Sequence, residues 1–276
     1  ANAPTIVSFG EILYDVFPDG ARLGGAPLNL AVHLHRLGAN AVMISAVGDD
    51  SAGRDALSEM RRLGLSADHV AILPDRPTGR VDVVLDAEKI PAYRFLPDCA
   101  YDAVPFPEAP LPRADAFCFG SLAQRGCVSR RTLRRLLDEL APGATIFFDA
   151  NLRQDFYSKE ILEESLRAAN ILKINEEELP VIANLFHLPA DCASLADAFG
   201  LDVVVRTLGA QGCEILRGDD RIAVPAVPVR VVSTVGAGDA FSAAFLRRLL
   251  SGATLRDAAE AGARLASEVA TRLGAF

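Results

Sequence analysis

Short runs of apolar, often β-branched residues alternate along the chain with longer segments whose apolar positions recur every three to four residues. The short runs read as buried strands at residues 5–9, 41–46, 70–73, 115–119, 145–148, 171–174 and 203–206. Helical spacing marks residues 27–37, 52–63, 132–140, 161–168, 176–183, 240–250 and 255–272. The punctuation agrees: Pro27 opens the first helix and Gly38 follows it, Ser51 is placed to cap the second and Gly64 to end it, and Pro142-Gly143 stops the third. Residues 213–216 and 221–224 read as a hairpin turning at Gly218-Asp219-Asp220. Strands and helices in this order predict an α/β fold with a mostly parallel central sheet flanked by helices.

Two stretches break the alternation. Residues 80–86 and 92–96 are neighbouring strands with no helix between them, and 13–17 continues past the natural end of the first strand. They predict a small β-sheet formed by about residues 12–22 and 77–98. Two roles are open for it: a lid that sets Asp15, Tyr93 and Phe95 over a ligand, or an edge hairpin that covers core. The sequence shows no repeat and no interdomain linker, so residues 1–276 are expected to form a single domain. The proline-rich run 105–112 is a stiff loop that returns the chain from the small sheet to the large one.

Half of the 276 residues are hydrophobic, enough for a large core. A net charge of -8 argues against a nucleic-acid or anionic-membrane surface, so neither nucleic acid nor membrane is an expected partner. Five cysteines without Cys-x-x-Cys spacing read as reduced thiols of a cytoplasmic protein. The first residues lack a basic segment and run directly into a strand, which is not the pattern of a signal peptide. No apolar run approaches the roughly 20 residues of a membrane helix.

The richest chemistry lies near the C-terminus. A β-branched run at 229–232 reads as a strand, passes through Gly236-Ala237-Gly238, and enters the helix at 240–250. Glycines there let the amides of Gly236, Ala237 and Gly238 face a common centre, where they and the helix dipole favour an anion. Asp239 in the first helical turn could simply complement the dipole. Against an anion, however, a carboxylate repels unless it takes a proton from whatever attacks that anion, so Asp239 is the candidate general base. A dinucleotide fingerprint does not fit, because Phe241 occupies its last small position and no strand follows.

Further polar groups sit at predicted strand ends and helix starts. Gly24 and Gly25 permit close backbone approach before Asn29, which is either a helix-start residue or a contact to sugar hydroxyls; Asp15 could accept from two hydroxyls at once. Asp149, Asn151 and Arg153 follow an apolar strand, and Arg153 is either a phosphate or substrate clamp or the anchor of a loop salt bridge. Asn175 and Glu178, three apart in a predicted first turn, either complement the dipole or orient a hydrated Mg²⁺. Thr207, Gly209 and Gly212 form a small-residue turn that could pass beneath a nucleotide.

Taken together these motifs resemble the ribokinase (PfkB) family of sugar and nucleoside kinases. The N-terminal signature is matched at Gly24, Gly25, Asn29, Ala31, Gly38 and Gly48, and the second as Thr234-x-Gly236-Ala237-Gly238-Asp239. Asn175-x-x-Glu178 and Asp149-x-Asn151-x-Arg153 fall between them in the family's order. The resemblance implies a ribokinase-like fold with a β-lid over the sugar and transfer of the γ-phosphoryl group of ATP to a sugar hydroxyl. It implies Asp239 as base, Gly236 to Gly238 as anion hole, and Asp15, Gly25 and Asn29 on the sugar. Asn175 and Glu178 would then act on Mg²⁺ and phosphates, with Thr207, Gly209 and Gly212 lining the nucleotide. Residues 9–15 and Pro77-Thr78-Gly79 are most similar to the fructokinase-like branch, which makes fructose the expected substrate. Ribose, 2-keto-3-deoxygluconate and a nucleoside are the alternatives within the class, and a catalytically silent sugar-binding protein the alternative outside it. A sugar acid would call on Arg22, Arg80 or Arg94. Many relatives carry Asp where this chain has Ser233, so a monovalent-cation (potassium) requirement does not carry over; Ala263 replaces an Asn that relatives place near the adenine. The edges of the lid strands offer a surface for a homodimer.

Overall fold

The computed structural model describes residues 3–85 and 91–276. Its strands are β1 (Thr5–Phe9), β2 (Leu13–Phe17), β3 (Gly20–Gly24), β4 (Asn40–Gly48), β5 (Val70–Leu73), β6 (Gly79–Leu85) and β7 (Pro91–Phe95), then β8 (Ala116–Phe119), β9 (Thr145–Asp149), β10 (Ile171–Asn175), β11 (Val203–Thr207), β12 (Cys213–Arg217) and β13 (Asp220–Val224). The helices are α1 (Ala26–Arg36), α2 (Ser51–Arg62), α3 (Cys127–Asp138), α4 (Lys159–Ala168), α5 (Glu178–Leu185), α6 (Cys192–Phe199), α7 (Ala237–Leu249) and α8 (Leu255–Ala270). Nine strands form one sheet in the order β13-β12-β11-β10-β9-β8-β1-β4-β5, and four form a second in the order β3-β2-β6-β7. The seven strands from β11 to β5 run parallel, and only β12 and β13 are antiparallel additions at one edge.

Alternating side chains put apolar residues on both faces of the large sheet. On β8, Phe117 and Phe119 pack with Phe148, Leu172 and Ile174 against α3, α4 and α5, while Ala116 and Cys118 pack with Ile6 and Phe147 against α1, α7 and α8. A third cluster joins α1 to α2 through Leu28, Val32, Leu57 and Met60. Helices therefore cover both faces and leave the carboxyl ends of the strands open. The chain order reverses between β1 and β8, which opens a crevice there.

The chain passes between the sheets four times, and the second visit to the smaller sheet is anchored where it begins and where it ends. At the entry, Thr78 donates its hydroxyl and amide to Asp50 (2.6 and 2.9 Å) and accepts from the Gly48 amide (2.9 Å). At the exit, Arg125 bonds to the Leu96 carbonyl (2.7 Å), the Tyr101 hydroxyl (2.8 Å) and Asp102 (2.8 Å), and lies over the Phe156 ring at 4.6 Å.

Several expectations are corrected. Asp50, not Ser51, caps α2, accepting from the Gly53 amide at 2.7 Å. Helix α3 starts at Cys127 rather than 132, because its cap is Gly126, which leaves no side-chain signal. β3 and α6 were not anticipated. Helix α5 starts at Glu178 rather than 176. Residues 229–232 form no strand: Pro225 and Pro228 stand just ahead of the run, and the amides of Val232 and Ser233 are drawn to the Ala270 carbonyl at the end of α8. Asp86, the last residue of the strand expected at 80–86, lies outside the described residues.

Candidate active site

The first turn of α7 closes the crevice at the carboxyl edge of the large sheet. Gly236 precedes the helix at φ 77°, a left-handed conformation open to glycine, and a Cβ there would lie 2.6 Å from Ala275. The Ala237 amide turns back to the Thr234 carbonyl (3.2 Å), so it does not face the common centre expected for all three amides. Gly238 supplies a first-turn amide with no helical acceptor, beside Asp239.

Asp239 caps nothing. Its Oδ2 accepts from the Asn29 side-chain amide at 2.8 Å, joining α7 to α1. Burial pushes its carboxyl up to about 7; the Asn29 hydrogen bond opposes the rise, Asp149 adds to it, and Lys173 and Arg153 counter it. A carboxylate poised there is matched to proton transfer near neutral pH. Asn29 is only 5% exposed, and its Oδ1 has no hydrogen-bond partner among the described residues. That oxygen sits 3.9 Å from where a Cβ of Gly24 would be, and Asp15 Oδ2 is 3.4 Å from the same point. Asp15, Gly24 and Asn29 thus border one cavity of about 220 Å³, together with Arg22, Ser233, Val235 and Ala275. Gly25 serves a different end: at φ 109° a Cβ would collide with the Glu11 carbonyl, so its smallness lets the chain turn into α1 past β1 rather than making room for a ligand.

Arg153 makes no ion pair among the described residues, so it anchors no loop. Burial raises Glu11, Asp15 and Asp239, and the Arg153 charge opposes that rise at all three, so the guanidinium lies within electrostatic reach of each. The loop that carries it is tightly wound, with Asn151 at φ 39° and Gln154 at φ 48°, and Gln154 donates to the Tyr93 carbonyl of β7 at 2.6 Å. Phe95 meets Phe156 edge-on at 5.4 Å and packs on the core beneath the second sheet, away from the Asp15 cavity.

Asn175 and Glu178 do not share a helix face. Asn175 ends β10 and its Oδ1 accepts from the amides of Glu177 (2.9 Å) and Glu178 (2.8 Å), while Glu178 accepts from the Asn175 amide (2.9 Å) and the Leu152 amide (2.8 Å). The two residues thus close the turn before α5 reciprocally, and the Leu152 contact also fixes the Arg153 loop. Thr207 lies beside Asn175 in register. A Cβ at Gly209 would meet open space, whereas one at Gly212 (φ 100°) would strike the Val224 carbonyl, so Gly212 is required by the hairpin itself.

Two groups escaped the sequence reading. Glu11, 4% exposed, lines the crevice with Asp149, Asn151 and Asp239, and burial raises it to about 7. Lys173 is buried in β10 with its ammonium 2.7 Å from Asp149. Their signal was a charge set in or directly after an apolar strand, which demands a partner.

A sequence model described as pfkB family carbohydrate kinase matches residues 6–276. The chain belongs to that family. As a pfkB carbohydrate kinase it is a phosphotransferase with a sugar hydroxyl as acceptor. It is 31% identical over 269 residues to Fructokinase-1 of Oryza sativa subsp. japonica, covering 89% of this chain and 83% of that one. A putative sugar kinase of Pyrococcus horikoshii, PH1459, is 30% identical over 265 residues, 89% of this chain and 82% of that one. The crystal structure of PH1459 with ATP superposes with a TM-score of 0.86 at 28% identity, over 98% of this chain and 93% of that one. Fructokinase of Vibrio cholerae O395, bound to fructose, ADP and a calcium ion, gives 0.86 at 25% identity over 99% and 94%. The pfkB fold thus comprises both sheets described above. No helix among the described residues is long and apolar enough to cross a membrane.

Proposed function

We propose that this pfkB kinase transfers the γ-phosphoryl group of ATP to a hydroxyl of fructose, with the second sheet as a lid over the sugar. Asn29 carries the reading: one end of its amide orients the Asp239 carboxylate, and the other leaves a buried acceptor turned toward Asp15 and Gly24. A sugar hydroxyl donating to Asn29 and Asp15 would stand next to a base of pKa about 7. The Gly238 amide and the Arg153 guanidinium then offer positive charge where the phosphoryl group crosses. The fructose and ATP assignments draw on the fructokinases and the ATP-bound sugar kinase that the chain resembles. A sugar acid would draw first on Arg22, which lines the same cavity and makes only an exposed ion pair with Asp19.

A divalent cation such as Mg²⁺ fits this donor set only through water and phosphate. Both Glu178 oxygens already hold backbone amides, and among the described residues no three His, Cys, Asp or Glu side chains group as ligands. When bound, the ion would neutralise phosphate charge; chelation with EDTA is expected to abolish turnover, and added Mg²⁺ to restore it. No potassium requirement is expected, because the Ser233 hydroxyl is uncharged and accepts from the Val235 amide.

ADP release from Mg-ATP tests the reading against fructose, ribose, 2-keto-3-deoxygluconate, adenosine and no sugar. Turnover on fructose that falls about 10²–10⁴-fold in Asp239→Asn is the expected result. Sugar binding without turnover would leave only a sugar-binding protein. Tyr93 and Val84 expose apolar surface on the second sheet (53% and 45%), and a homodimer through that sheet is expected to show in sedimentation velocity and to dissociate in Val84→Asp.

A further inference from the structure

Lys173 stands in the middle of β10, 7% exposed, in a run that is otherwise Ile-Leu-Ile. A lysine is sunk so deep only when something holds its charge. Asp149, its register neighbour on β9, does so at 2.7 Å. Burial opposes the ammonium, but Asp149, with Asp239 and Glu178 beyond it, outweighs burial and raises its pKa, so the charge persists at working pH.

The ammonium also reaches beyond Asp149. Its Nζ is 3.5 Å from the position a Cβ would take at Gly238, in contact with the first turn of α7. That is the positive end of the helix, which by itself repels a cation; Asp149 and Asp239 hold the ammonium there, turned toward the Gly238 position. The two positive features become favourable together once an anion is held between them.

We infer that Lys173 is a catalytic residue whose ammonium, together with the Gly238 amide, contacts the phosphoryl group in flight. The inference rests on the kinase reading above. The bond from phosphorus to the ADP oxygen breaks, a bond to the sugar oxygen forms, and the hydroxyl proton passes to Asp239. Lys173 neither gains nor loses a proton and supplies charge only. Asp149 aims the ammonium at the turn.

The test compares wild type, Lys173→Met, Lys173→Ala and Lys173→Arg. Steady-state turnover is measured on the sugar that the panel identifies, and Mg-ADP is titrated calorimetrically with sugar, with and without aluminium fluoride as a mimic of the transferring group. Lys173→Met is expected to lose about 10²–10³-fold in kcat, the usual effect of removing one transition-state donor. Its KM for sugar and its Mg-ADP affinity should stay near wild type, while the extra affinity conferred by fluoride disappears. Ethylammonium should partly rescue Lys173→Ala, and Lys173→Arg should retain more turnover than Lys173→Met. Unchanged kcat overturns the inference, as does an equal loss of Mg-ADP affinity with and without fluoride, which marks a charge-balancing role. If the methionine variant does not fold, the arginine variant's response to fluoride decides in the same way. Wild type without turnover on any sugar would instead sink the kinase reading itself.

Discussion

Asn29 holds Asp239 with one end of its amide and buries the other without a partner among the described residues, so in the proposed reaction a single side chain would couple recognition to proton transfer. Its hydrogen bond favours the ionised carboxylate against burial. The acid limb of kcat/KM is therefore expected near pH 7, and Asn29→Ala should move that limb to higher pH as well as weaken sugar binding; an unmoved limb would separate the base from Asn29. The same carboxylate has a cost in the folded protein. Asp239 and Glu11 ordinarily titrate near 3.8 and 4.5 but are raised to about 7, so the folded chain keeps protons that the unfolded chain has released. Their contribution to stability falls as pH climbs from about 4 to about 7 and stays low above that. Asp239→Asn should consequently melt at a higher temperature than wild type at pH 8, with the difference closing toward pH 4. Scanning calorimetry across that range reads it directly.

At the scale of elements, α7 presents its first turn to the crevice while Phe241 and Phe245 of the same helix lie in the core. Gly236→Ala would force a left-handed conformation worth about 1–2 kcal/mol and press a methyl group on Ala275, so lower stability in urea and lower kcat are expected together. Arg125→Met, which strands the buried Asp102 carboxylate at the exit of the second sheet, should cost about 3–5 kcal/mol. Chemical denaturation would show whether the loss is of that size. Legibility in the sequence follows how local the cause is. Helix α7, the parallel strands and the Asp239 turn are written in adjacent residues, since glycine, β-branching and apolar period act over a few positions. What was missed depends on distant partners. The start of α3 has no capping side chain to announce it, and the run at 229–232 has strand composition but is drawn to α8. Lys173 is intelligible only beside Asp149, 24 residues away. Asn175 and Glu178 form a pair by spacing, yet the Leu152 amide that completes their network is invisible from it.

The whole molecule joins a large sheet, which fixes Asp149, Lys173 and the turn of α7, to a smaller one carrying Asp15, with Thr78 and Arg125 at two of the four crossings. Ligands that bridge the sheets should stabilise the native state as a unit. At a hundredfold excess over Kd each is expected to add about 2.7 kcal/mol, and sugar with Mg-ADP together should raise Tm by more than the sum of the two alone. Additive shifts in thermal melts would argue that the sheets do not close on a common ligand. The strand β7, whose Tyr93 carbonyl is tied to Gln154 of the loop after β9, also offers a spectroscopic handle. The chain contains no tryptophan. An indole placed by Tyr93→Trp, at a site 53% exposed in the wild type, would be the sole red-edge emitter in the protein. If the smaller sheet closes over fructose as proposed, a blue shift on mixing in stopped flow would time that closing, free of background, and an unmoved spectrum would argue against a lid.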